Sequence, residues 1–234
     1  MIVHDIEQRS AEWYALRAGM PTASEFSKII TSKGEPSKSV SDYALTLAAE
    51  KFAGRPVDAW EGNSWTDRGR ALETSAISLY EFARDTIVKP VGFITDDDAS
   101  MGCSPDGLVG DDGMVEVKCL KSDRHVRAIL YFQKHGRCPP DYVQQTQGQL
   151  MVCRRNWCDL IFYHPELPLL IVRQTPINEL SFALRKGIKA LISERDAVLA
   201  ALHAQAENRE LVPAQRTALP VRANVDLNQA APAF

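Results

Sequence analysis

The sequence predicts an α/β fold, a mixed β-sheet flanked by helices, formed as a single domain over residues 1–207. Three observations carry this. Residues 101–121, MGCSPDGLVGDDGMVEVKCLK, hold two apolar-rich runs separated by Gly110-Asp111-Asp112-Gly113, the pattern of a β-hairpin with a short glycine-containing loop. Trp157 to Tyr163 and Leu169 to Gln174 are two further strands, joined by the turn His164-Pro165-Glu166-Leu167-Pro168. Residues 64–82 and 178–207 instead carry apolar positions at helical spacing. A chain of 234 residues is long enough for one such domain with a real core, and its 45% hydrophobic and 24% charged content is ordinary for a globular protein. No apolar run approaches the roughly 20 residues that span a bilayer. MIVHDIEQRS does not read as a secretory signal, so a cytoplasmic location is expected.

From the N-terminus, residues 10–19 read as a short helix with Ser10 as N-cap and Gly19 as its stop; Trp13 and Leu16 share one face. Thr22 followed by Glu25 reads as a capping box opening a second helix with apolar Phe26, Ile29 and Ile30. Residues 31–39 form a polar loop, Ser41 to Phe52 a helix, and 53–63, with two glycines and a proline, an irregular link. In the helix from Ser64 to Phe82, Glu73 lies beside Leu72 and one turn before Ala76 and Ile77, at the border of the apolar face. Val88 to Thr95 has strand character. Asp96-Asp97-Asp98 lacks the spaced oxygens of an EF-hand loop and reads as a turn.

In the second arm of the hairpin, the period of two places Met114, Glu116 and Lys118 on one face and Val115, Val117 and Cys119 on the other. A Val-Val-Cys face belongs in a core, so Glu116 and Lys118 project together into a cleft. Pro105 cannot donate to a ladder and marks a break in the first arm, with Asp106 beside it and across from Glu116. Two carboxylates and one ammonium converge. Hard oxygen ligands of this kind hold Mg²⁺ with room for phosphate oxygens. A lysine beside the metal can position and help deprotonate an attacking water, and offset charge in the transition state of phosphodiester hydrolysis.

After the hairpin, Asp123 to Lys134 reads as a helix. Residues 117–137 hold six lysines and arginines against the single acid Asp123, a local basic strip in a chain whose net charge is −3. His125 adjoins that strip and is expected at the surface. Pro139-Pro140 ends the helix, and Asp141 is placed to cap the next, DYVQQTQGQLMVC. The five cysteines are scattered without a C-x-x-C, which argues against a disulfide framework or a zinc site and points to reduced thiols. From about 208 to 234 the composition turns proline- and alanine-rich, a C-terminal tail either mobile or packed on a neighbouring subunit.

S-P-D-G followed by E-V-K resembles the metal site of the PD-(D/E)xK nuclease superfamily, and L-R-A-G-M-P-T-A-S-E (16–25) is similar to the N-terminal signature of its phage lambda exonuclease-like branch. The matching pieces run in family order from Leu16 to about Gln147. The resemblance implies a restriction-endonuclease-like core and a Mg²⁺-dependent 5′→3′ exonuclease, with Mn²⁺ as a possible substitute. Such an enzyme digests one strand of linear double-stranded DNA to mononucleotides and leaves 3′ single strands for recombination by annealing. It implies Asp106, Glu116 and Glu73 as metal ligands, Lys118 on the attacking water, and Gln147 in the active site. Arg17, Ser24 and Ser104 would seat the terminal 5′-phosphate. It further implies double-stranded DNA ends as partner, a ring-shaped homotrimer, a single-strand annealing protein, and a phage or prophage origin. The alternatives are another nuclease of the superfamily, acting as an endonuclease or in repair, and a DNA-end-binding scaffold without catalysis. Intact Asp106, Glu116 and Lys118 argue against the scaffold.

Overall fold

The computed structural model describes residues 1–57 and 64–210. In chain order the elements are β1 (Ile2–His4), α1 (Ala11–Arg17), a 3-10 helix (Ala23–Lys28), α2 (Val40–Ala53), α3 (Ser64–Arg84), β2 (Val88–Lys89), β3 (Phe93–Thr95), β4 (Gly102–Cys103), β5 (Gly107–Val109) and β6 (Gly113–Cys119). Then come α4 (Ser122–His135), a 3-10 turn (Pro140–Tyr142), α5 (Val143–Cys153), β7 (Trp157–Tyr163), β8 (Leu170–Gln174) and α6 (Asn178–Glu210).

Five strands form the principal sheet in the order β2-β5-β6-β7-β8, with β6 at its centre. β5 and β6 are the expected hairpin, paired Gly107 to Val115 and Val109 to Gly113. β6 runs parallel to β7, and parallel neighbours require a long crossover, which α4 and α5 supply. A central strand with a parallel neighbour is covered on both faces. Val115 and Val117 pack with Ala76 and Tyr80 of α3, and Met114 packs on the other side in a cluster built from α2, α5, α6 and the first 3-10 helix. Leu160 and Phe162, opposite Glu116 and Lys118, meet Ala128 and Cys138. The Glu116 side is therefore no open polar face: Glu116 retains 4% of its surface.

The structure departs from the local reading at several points, each decided by long-range pairing. The run expected as one strand, 88–95, divides at Pro90. β2 joins the principal sheet, whereas β3 pairs with β4 and with β1, a strand not expected from the sequence, in a second sheet ordered β1-β3-β4. The first hairpin arm divides likewise, β4 to the small sheet and β5 to the large one, so Ser104-Pro105-Asp106 links the two. The segment after Thr22 is a 3-10 helix, and the Thr22 side chain makes no capping bond. Asp141 does not cap α5 either; Tyr142 precedes it, without a side-chain cap. His125 is buried and bonds through Nε2 to the Pro168 carbonyl at 2.9 Å. None of the five cysteines is in a disulfide; four are buried and Cys119 is half-buried. Among the described residues no helix is long and apolar enough to cross a membrane. α6 runs to Glu210, and the rest of the C-terminal tail lies outside the described residues.

Candidate active site

The link between the sheets sets the site. The Asp106 amide donates to the Val115 carbonyl at 3.1 Å, and its carboxylate accepts the Val117 N–H at 2.6 Å. Asp106 is thereby pinned to the backbone of β6 on either side of Glu116. Glu116 Oε1 accepts from Lys118 Nζ at 2.7 Å and from Gln145 Nε2 at 2.6 Å, and Oε2 accepts from Gln149 Nε2 at 2.6 Å. Lys118 also donates to Gln145 Oε1 at 2.9 Å. Gln145 and Gln149 are four residues apart on α5, so one helix face delivers both amides.

Gln147 is not brought to this cluster. Two residues along a helix of 3.6 per turn it points about 200° away from Gln145. It donates to the Thr175 carbonyl at 2.9 Å and accepts the Ile177 N–H at 2.8 Å, tying α5 to the segment before α6. The phase of α5 follows from Gly148: a Cβ there would lie 2.3 Å from Phe26, so the helix rests directly on the 3-10 segment that carries Ser24.

Burial first, then the Glu116 and Glu73 carboxylates, push the Asp106 carboxyl well above its ordinary value, against the pull of the Val117 amide and Lys118. Burial alone would lower the Lys118 ammonium, but Glu116 and then Asp106 outweigh it, and the net shift is upward. Lys118 is therefore a firm cation. Among the described residues no group of three acid, histidine or cysteine side chains stands ready-made as a metal cage. The chemistry of the donors nevertheless fits a divalent cation: burial and the Glu116 and Glu73 carboxylates disfavour the charge on Asp106, and such an ion relieves that. Glu73 also pairs with Arg9 Nη2 at 3.8 Å.

A single cavity extends from Asp106, Gln145 and Gln149 to Trp13, Arg17, Thr22, Ser24 and Ser104. The Arg17 guanidinium stacks 3.9 Å from the centre of the Trp13 ring, and its Nη2 lies 3.4 Å from the Thr22 hydroxyl. Trp13 Nε1 donates to Ser104 Oγ at 2.9 Å, and the Thr22 and Ser24 hydroxyls are 3.3 Å apart. Burial shifts Arg17 downward, but a guanidinium keeps its proton. Arg17, Ser24 and Ser104, distant in sequence, thus share one anion-suited pocket. Trp13, Thr22, Gln145 and Gln149 were passed over by the sequence reading. Trp13 read as a helix-packing face and Thr22 as a cap, while the i, i+4 spacing of the two glutamines was the one available signal.

Residues 12–156 match the YqaJ-like viral recombinase domain. Among solved structures, the alkaline exonuclease LHK-Exo from Laribacter hongkongensis superposes with a TM-score of 0.74 at 31% identity, over 87% of this chain and 100% of that one. The structure of LHK-Exo in complex with dAMP gives 0.75 at 30% identity, with the same coverage. A phage-related exonuclease from Haemophilus somnus 129PT shares the fold, with a TM-score of 0.60 at 19% identity over 78% of this chain and 96% of that one. No curated protein is significantly similar to this chain.

Proposed function

The chain belongs to the YqaJ-like viral recombinase family, in its lambda exonuclease-like group, and from that premise we propose that it is a metal-dependent 5′→3′ exonuclease on linear duplex DNA. The observation that carries this reading is the shared cavity: the Arg17 pocket and Asp106 line one space. A terminal 5′-phosphate seated by Arg17, Ser24 and Ser104 brings the following phosphodiester to the carboxylates. Polarity then follows from which end bears the phosphate, and the product is a mononucleotide. LHK-Exo is known in complex with a mononucleotide, dAMP, which supports that product.

Asp106, Glu116 and Glu73 would hold Mg²⁺, or Mn²⁺ in its place. When bound, the ion supplies charge stabilisation to the phosphoryl oxygens and acidifies the nucleophilic water. Lys118, kept cationic by Glu116, orients that water and offsets negative charge as the bond to phosphorus forms. Gln145 holds Lys118 and Glu116 in register. Arg124 and Arg127, which line a groove with Tyr131 and Tyr142, suit the phosphates of the duplex beyond the cleaved end. The same reading extends to the single nuclease domain 1–207, a cytoplasmic phage or prophage setting, a homotrimeric ring and a single-strand annealing partner. These rest on the family resemblance; sedimentation as a monomer at working concentration would remove the ring.

The test is digestion of end-labelled linear duplex DNA with Mg²⁺, beside closed circular DNA and an EDTA control. Release of the 5′ label as mononucleotide, with the circle intact and no reaction in EDTA, is expected. Cutting of the circle would favour an endonuclease, and end binding without cleavage a scaffold.

A further inference from the structure

Arg9 occupies a position that its backbone does not favour. It is the third residue of a tight turn closed by the Ser10 N–H donating to the Glu7 carbonyl at 3.1 Å, and its φ is +71°. That region suits glycine or asparagine in such a turn, so what arginine contributes here is its side chain. The turn is braced toward the active site. Gln8 Nε2 donates to the Val91 carbonyl at 2.8 Å and to the Pro105 carbonyl at 3.2 Å, immediately before Asp106.

Held in this way, Arg9 lines the cavity that contains Arg17, Ser24, Ser104 and Asp106. It also lines an adjoining groove bordered by Glu73 and Asp106. Its ion pair with Glu73, at 3.8 Å, joins side chains that remain 41% and 30% exposed. A long, half-solvated pair is weak and readily exchanged.

We propose that Arg9 is a second DNA-phosphate clamp: its guanidinium leaves Glu73 for the phosphodiester next to the terminal phosphate seated at Arg17. The inference rests on the nuclease reading above. It gives the exchange a simple charge logic. In the free protein Arg9 balances Glu73; with substrate present, arginine pairs with phosphate and the carboxylate turns to a divalent cation. Glu73 then faces a cation in either state. The two arginines then bracket Asp106, one on the terminal phosphate and one on the bond to be cut.

The test compares the parent protein with Arg9→Gly and Arg9→Lys in three measurements: thermal melting, binding of a 5′-phosphorylated duplex with Ca²⁺ in place of Mg²⁺ across a salt series, and cleavage with Mg²⁺. Arg9→Gly suits the turn and should melt no lower than the parent. It should bind the duplex about tenfold more weakly, with a log–log salt slope shallower by about one, the signature of one lost phosphate contact. Its kcat/KM should fall in parallel, and Arg9→Lys should recover part of both. A folded Arg9→Gly protein with unchanged binding, salt slope and cleavage, or one that merely needs less Mg²⁺, would overturn the clamp and leave Arg9 as a counter-ion of Glu73. An active parent with an indistinguishable variant sinks only this inference. A parent that degrades no linear duplex sinks the nuclease reading and the clamp together.

Discussion

Glu116 and Asp159 are buried carboxylates on adjacent strands with opposite fates. Glu116 faces Leu160 and Asp159 faces Val115, so they project from opposite sides of the sheet. Asp159 accepts Arg173 Nε and Nη2, both at 2.8 Å, and the Tyr80 hydroxyl at 2.8 Å, while Arg173 stacks 3.9 Å from the Trp157 ring. One fork-shaped cation matches one anion, and the network is complete in itself. Glu116 has an ammonium and two neutral amides, and together with Glu73 it presses against the charge of Asp106. A buried acid is a structural part when its charge is matched and sealed. It becomes a reactive one where surplus negative charge is held beside a cavity. The two networks cooperate, because Tyr80 lies two turns beyond Glu73 on α3, and its bond to Asp159 sets the helix that brings Glu73 in.

This contrast can be broken from either side. Lys118→Ala should have the largest effect, lowering kcat by about 10⁴-fold, roughly 5 kcal/mol. Duplex binding should stay near the parent value, while the melting temperature should fall because buried Glu116 loses its ammonium partner; normal turnover of the folded protein would remove Lys118 from the mechanism. Asp159→Asn should act on the fold instead, leaving Arg173 short of its counter-charge. Urea titration should show a loss of about 1–3 kcal/mol, since the half-exposed Arg173 can turn to water, and a stable variant would mean the sheet does not depend on this pair. On α5, Gln145→Ala should cost about tenfold to a hundredfold in cleavage with little change in stability. Gln147→Ala should do the reverse, losing about 1–3 kcal/mol of stability while the remaining folded protein still cleaves. Equal effects of the two would erase the distinction between the two faces of α5. The smallest change is expected for Arg17→Ala, which should narrow the preference for a 5′-phosphate over a 5′-hydroxyl end by about tenfold, about 1.4 kcal/mol. An unchanged ratio, read from initial rates on the two substrates, would move the terminal phosphate elsewhere.

Much of the site was legible because its signals are local. Alternation along 113–119, turn formers at 110–113 and a proline before Asp106 are enough to bring Asp106, Glu116 and Lys118 together. The Ser10 cap and the Gly19 stop of α1 are equally local, and the similarity of residues 16–25 to a known signature brought Arg17 and Ser24 forward. Gln147 misled because four glutamines crowd one helix and nothing in the sequence states its rotation.

By itself, then, the sequence determined the α/β class, the central hairpin and the convergence of two acids with a lysine, since periodicity and turn chemistry act over a few residues. The tertiary structure alone decided which glutamines of α5 meet Glu116, through the contact of Gly148 with Phe26. It alone divided residues 88–109 between two sheets, diverted the Thr22 hydroxyl from capping into the Arg17 pocket, and carried Arg9 to Glu73. It alone closed Asp159 with a tyrosine 79 residues away. The reason is common to all of these: each is settled by packing between segments far apart in the chain, and no window of neighbouring residues contains both partners.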